Sequence, residues 1–166
     1  CFDEPAFKAT FKITIIAPKD RTVLSNMRVT SVSTSETEKA TVFALTPKMS
    51  TYLLCFVVGD YDYVESTSTD GRVKVRVYTP VGQKEEGNFA LQVAVKSVDF
   101  LQNYLGVKYP LTKLDLIGIK DFGSGAMENW GLMTFQESIL YINEKTSPVS
   151  QRQTCANVVA HEIAHQ

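Results

Sequence analysis

The sequence predicts an α+β fold, a β-rich first part giving way to mixed sheet and helix. Three observations carry that reading. Apolar and polar residues alternate one by one in the early segments, Asp70-Gly71 stands between two strand-like runs, and after Gly87 the apolar residues recur at three- and four-residue intervals. The change of style falls around residues 65 to 80.

Phe7, Ala9, Phe11, Ile13 and Ile15 alternate with Lys8, Thr10, Lys12 and Thr14, which predicts a strand with one wet face over residues 7–15. Further strands are expected at residues 42–45 and 52–58. Asp70-Gly71 then predicts a reversing turn, followed by a strand in which Val73, Val75 and Val77 share one face. Ala90, Leu91, Ala94, Val95, Val98, Leu101 and Leu105 predict an amphipathic helix that Gly106 ends. Tyr109-Pro110 breaks the chain before KLDLIGI, a strand that runs into the glycine-punctuated KDFGSGAMENWG. An extended run over residues 132–142 follows, and Ser147-Pro148 predicts an N-cap with proline at the first position of a final helix.

Composition narrows the function classes. Seventeen basic against eighteen acidic residues leave no positive field for a nucleic-acid backbone, so nucleic acid is not expected as a partner. No apolar run is long enough to cross a bilayer. Cys1, Cys55 and Cys155 lack disulfide-framework or CxxC spacing and are expected to be buried, reduced thiols. None of the six asparagines opens an Asn-x-Ser/Thr acceptor, which leans toward the cytoplasm. The chain opens on Cys1 without methionine and is expected to be an internal piece of a longer protein; a membrane-anchored relative would carry its anchor upstream.

The chemistry concentrates at HEIAH, residues 161–165. On a helix, His161 and His165 project within about 40° of each other, about 6 Å apart along the axis, so both imidazoles reach one ion. Glu162 lies on the flank of that face, placed to take a proton from a metal-activated water. Zn2+ is the expected cofactor, although other divalent metals use the same ligand set. Catalytic zinc usually takes three protein ligands. Glu128 and Glu137 are formally available, but no spacing singles one out, and the third ligand is expected beyond Gln166.

Gly123, Gly125 and Gly131 surround Met127, Glu128 and Asn129 in a stretch where a backbone can run close to a ligand. The full GxGxxG spacing is missing, so phosphate binding is weakly supported. An extended edge beside the histidine helix would instead pair with a peptide backbone, and a carboxylate there would hold an ammonium group.

Gly125-Ala126-Met127-Glu128-Asn129 followed by His161-Glu162-Ile163-Ala164-His165 resembles the GAMEN and HExxH motifs of the zinc aminopeptidases related to aminopeptidase N. CFDEPAFKATF and KMSTYLLCFVVGDYDYVE resemble segments of that family's N-terminal β domain, and YTPVGQ the opening of its catalytic domain. The resemblance implies that residues 1–66 are the C-terminal part of a β-rich domain. It implies that residues 67–166 begin a thermolysin-like mixed sheet and helix domain, cut just after HExxH. It implies His161 and His165 as zinc ligands, Glu162 as general base, and Gly125, Ala126, Met127, Glu128 and Asn129 as the substrate edge. Glu128 would hold the free α-amino group of peptide substrates. The family's third ligand, a glutamate on a later helix, and its downstream tyrosine are absent from these residues, so this segment alone is expected to be inactive.

Competing readings are a zinc endopeptidase, which HExxH also serves, and a catalytically dead module that binds peptides or partners. Serine or cysteine hydrolysis is disfavoured because Cys155 lies on another face of the helix from His161. Asp60, Asp62 and Glu65 lack the turn glycine of a calcium loop and read as a solvated strand face.

Overall fold

The structure is a computed structural model that describes residues 2–166; Cys1, one of the three expected thiols, lies outside the described residues. In chain order the strands and helices are β1 (Lys8–Ala9), β2 (Thr14–Pro18), β3 (Thr22–Ser25), β4 (Val29–Thr34), β5 (Glu38–Phe43), β6 (Met49–Ser50), β7 (Phe56–Gly59), β8 (Tyr61–Thr67), β9 (Lys74–Pro80), α1 (Asn88–Leu105), β10 (Lys113–Ile119), β11 (Ala126–Met127), β12 (Leu132–Gln136), α2 (Glu137–Leu140) and α3 (Val149–Ala164). A β-rich first part is followed by mixed sheet and helices, as the sequence predicts. By compactness the chain forms two units: one runs to Asp60 and takes in Asn129–Leu132, and the other comprises Tyr61–Glu128 and Met133–Gln166.

The first unit is built from small antiparallel sheets, β1 with β6, β3 with β7, and β2-β5-β4. The strand expected over residues 7–15 is two strands, and the backbone between them bonds to the end of β5 and the loop after it: Phe43 N–H donates to Ile13 O, Thr46 N–H to Phe11 O, and Phe11 N–H to Thr46 Oγ1. The alternation still sorts the faces, since Ile13 and Ile15 pack on a core of Ala17, Val23 and Phe43. The strand expected at 52–58 begins only at Phe56, after a single 3-10 turn over Thr51–Leu53. Buried Asn26 pins that turn, its Nδ2 donating to Leu53 O at 2.8 Å and Trp130 O at 2.9 Å.

The second unit holds a five-stranded sheet in the order β11-β12-β10-β9-β8. β8 and β9 form the expected antiparallel hairpin, with Gly71 at φ 72° in its turn. β9 and β10 run parallel, and Val73, Val75, Val77, Leu114 and Leu116 are fully buried. α1 buries Ala90, Leu91, Ala94 and Val98 and stops at Gly106, which is left-handed at φ 67°. The two charges in KLDLIGI are buried as a pair, Lys113 Nζ donating to Asp115 Oδ2 at 2.7 Å.

Residues 132–142 are not one extended run. β12 gives way at Glu137 to the one-turn helix α2, after which Tyr141 is extended again. Nor is Ser147 the cap of α3: extended Pro148 is the N-cap, while Ser147 Oγ accepts from Asn143 N–H at 3.1 Å. Cys155 is buried as expected, whereas Cys55 is only half-buried. No helix among the described residues is long and apolar enough to cross a membrane.

Candidate active site

The last turns of α3 carry the histidines because Cys155, Val159 and Ile163 bury the opposite side of the helix. His161 and His165 are exposed, with their Nε2 atoms 3.1 Å apart and their rings edge to face at 4.8 Å. Metal–nitrogen bonds of about 2.0–2.1 Å around a tetrahedral ion put two ligand nitrogens about 3.3 Å apart, so the pair fits a shared zinc ion. The helix C-terminus, with its partial negative charge, further favours a cation there. Among the described residues no group of three or more histidine, cysteine or acidic side chains gathers to hold a metal, so neither Glu128 nor Glu137 completes the set.

Glu162 is 6% exposed. Burial pushes its carboxyl above the ordinary carboxylate range; His161 opposes the rise, Glu128 adds to it, and His165 opposes it. Glu128 therefore lies within electrostatic reach of Glu162.

β11 is the edge strand of the sheet and pairs antiparallel with β12, Ala126 opposite Phe135 and Met127 opposite Thr134. Gly125 O accepts from Gln136 N–H at 2.9 Å, extending that pairing by one bond. Among the described residues β11 has no neighbouring strand on its other side, leaving an edge that a further extended chain can join. Glu128 is half-buried just past the end of β11, and Asn129 is buried in the first unit, its Nδ2 3.5 Å from Leu53 O. Of the glycines in this stretch, Gly131 needs its freedom most, at φ 80°.

Sequence reasoning passed over Gln166, whose Nε2 donates to Glu128 O at 2.9 Å. Its only signal in the sequence was its place directly after the second histidine. The acidic residues set aside as calcium ligands are engaged elsewhere: Asp60 pairs with Arg21, Asp62 accepts from Gly82 N–H, and Glu65 pairs with Lys74 and Arg76.

Residues 1–53 match the family described as Peptidase M1 N-terminal domain, and residues 89–166 match Peptidase family M1 domain. The whole chain is 52% identical to aminopeptidase M1-A of Oryza sativa subsp. japonica and 49% identical to aminopeptidase M1 of Arabidopsis thaliana, covering 19% of each. Over 99% of its length it is 46% identical to puromycin-sensitive aminopeptidase of Caenorhabditis elegans, covering 18% of that protein. The chain thus spans about a fifth of the length of these curated relatives.

Proposed function

Because the chain belongs to peptidase family M1, we propose that it carries part of the active site of a zinc aminopeptidase that removes N-terminal residues from peptides with a free amino terminus. The observation that carries this reading is the pair of facing Nε2 atoms, 3.1 Å apart, with the buried carboxyl of Glu162 on the same helix. His161 and His165 hold the zinc, with a third ligand from beyond these residues. Zinc, when bound, supplies Lewis-acid polarisation of water and of the scissile carbonyl. Glu162 takes the proton of the attacking water and passes it to the departing amine. The open edge of β11 pairs with the peptide backbone, and the Glu128 carboxylate accepts charge-assisted hydrogen bonds from the substrate α-ammonium. That last contact makes the site an exopeptidase, because an N-acetylated peptide has no ammonium to offer.

Two substitutions in the full-length protein test the reading. Glu162→Gln keeps zinc and lowers kcat by about 10²- to 10⁴-fold, the usual contribution of a positioned acid-base group. Glu128→Ala chiefly raises KM, by roughly ten- to a hundredfold, as loss of a hydrogen bond to a charged group implies. Turnover that survived Glu162→Gln would remove the assigned base. Equal cleavage of free and N-acetylated peptides would turn the reading toward an endopeptidase, and zinc-free, inactive full-length protein toward a peptide-binding module.

A further inference from the structure

Gln166 joins two parts of the second unit through one amide. Its Nε2 donates to the Glu128 backbone carbonyl at 2.9 Å, and its Oε1 lies 3.5 Å from the Tyr109 hydroxyl. Tyr109 is a fixed anchor: it is buried, its hydroxyl also reaches Lys113 O at 3.2 Å, and its N–H donates to Gln102 Oε1 at 3.1 Å. One hydroxyl hydrogen serves both acceptors, so of these two amide contacts the one with Glu128 is the stronger. Turning the amide over would set Oε1 against the Glu128 carbonyl, acceptor against acceptor, so this contact also fixes the orientation of the amide.

The place of that bond in the sheet gives it a consequence. The pairing of β11 with β12 ends at Met127, opposite Thr134, and Glu128 is the first residue past it. The Glu128 carbonyl is held from the end of α3, by the residue that directly follows His165. We propose that Gln166 is a positioning residue for Glu128, tying the backbone of the amine-holding carboxylate to the helix end that carries the metal ligands. This rests on the amine-holding role given to Glu128 above. The strap fixes the separation between substrate ammonium and metal pair, and hence which peptide bond reaches the reacting centre. An error of about 1 Å in such a separation is costly in an active site.

The test uses the full-length protein with Gln166→Ala, Glu128→Ala and the double variant. Hydrogen exchange across residues 125–130 reads the strap itself and should quicken in Gln166→Ala while zinc content stays unchanged. KM for a dipeptide with a free amino terminus should rise about three- to tenfold, as expected for one neutral hydrogen bond, with kcat within about twofold. Adding Gln166→Ala to Glu128→Ala should raise KM no further, because the two act through one contact. Unchanged exchange, or faster exchange with KM unmoved, overturns the proposal. So does a fall in kcat of equal size in both backgrounds, which marks a purely structural role. If Glu128→Ala alone leaves KM unmoved, the amine-holding role fails and the proposal falls with it; failure of the proposal alone leaves the Glu128→Ala loss intact.

Discussion

Tyr141 and Gly118 show how closely a single side chain is fitted against the five-stranded sheet. The Tyr141 hydroxyl accepts from Gly118 N–H at 2.9 Å and lies 2.9 Å from Tyr78 O, to which it donates. Burial pushes this phenol above its ordinary range, so it remains a donor at any working pH. The ring fits only because residue 118 has no side chain: a Cβ there would stand 2.5 Å from the Tyr141 Cζ. Gly118→Ala should therefore destabilise the second unit by about 1–3 kcal/mol, the usual cost of overpacking, seen as a lower urea midpoint. Tyr141→Phe should cost about 1–3 kcal/mol by stranding the buried Gly118 N–H. Cys155 gives a prediction in pH. Burial raises its thiol from an ordinary value near 9 to about 12, so the folded protein holds this proton more tightly than the unfolded chain. Its stabilising effect is complete below about 9 and is lost as pH climbs toward 12. At pH 8 iodoacetamide should spare Cys155 until the protein is unfolded; labelling of Cys155 in the folded state would contradict the burial.

At the scale of elements, Gly106 closes α1 in the left-handed conformation with nothing within 4 Å of where a Cβ would stand. Gly106→Ala should thus cost only the conformational penalty, roughly 1–2 kcal/mol, with no repacking around it. A much larger loss in urea unfolding would mean that the turn into residue 107 is itself packed. α1 and the β8–β9 hairpin were legible in the sequence because each buries one face, so its spacing prints through as a period. Residues 132–142 were not: Leu132, Met133, Thr134 and Phe135 are all buried, and a run buried on both faces carries no alternation to mark where strand becomes helix. The turn before Phe56 was hidden for another reason, since what fixes it is Asn26, far away in sequence. The candidate site divides in the same way. The histidine pair is a matter of i and i+4 on one helix and could be read directly, whereas the contact of Gln166 with Glu128 joins residues 38 positions apart and leaves no local pattern.

At the scale of the whole molecule, the question is how much metal chemistry these 166 residues hold by themselves. They supply two imidazoles at an exposed helix end and a buried carboxyl beside them, but no third ligand gathers among the described residues. An ion held by two imidazoles keeps most of its coordination to water and exchanges readily, whereas three protein ligands on separate elements must move together to release it. The 166-residue polypeptide, with circular dichroism confirming its fold, should therefore take up Zn2+ weakly, surrender it to a chelator quickly, and lose even that uptake in His161→Ala. It should not hydrolyse an aminoacyl amide at any zinc concentration. The full-length protein should retain zinc through the same brief dialysis, lose activity only on prolonged chelation, and recover it when Zn2+ is restored. Binding by the short polypeptide as tight as that of the full-length protein would mean that the third ligand lies within these residues after all. Glu128, the acidic side chain already within electrostatic reach of the site, would be the first position to substitute in finding it.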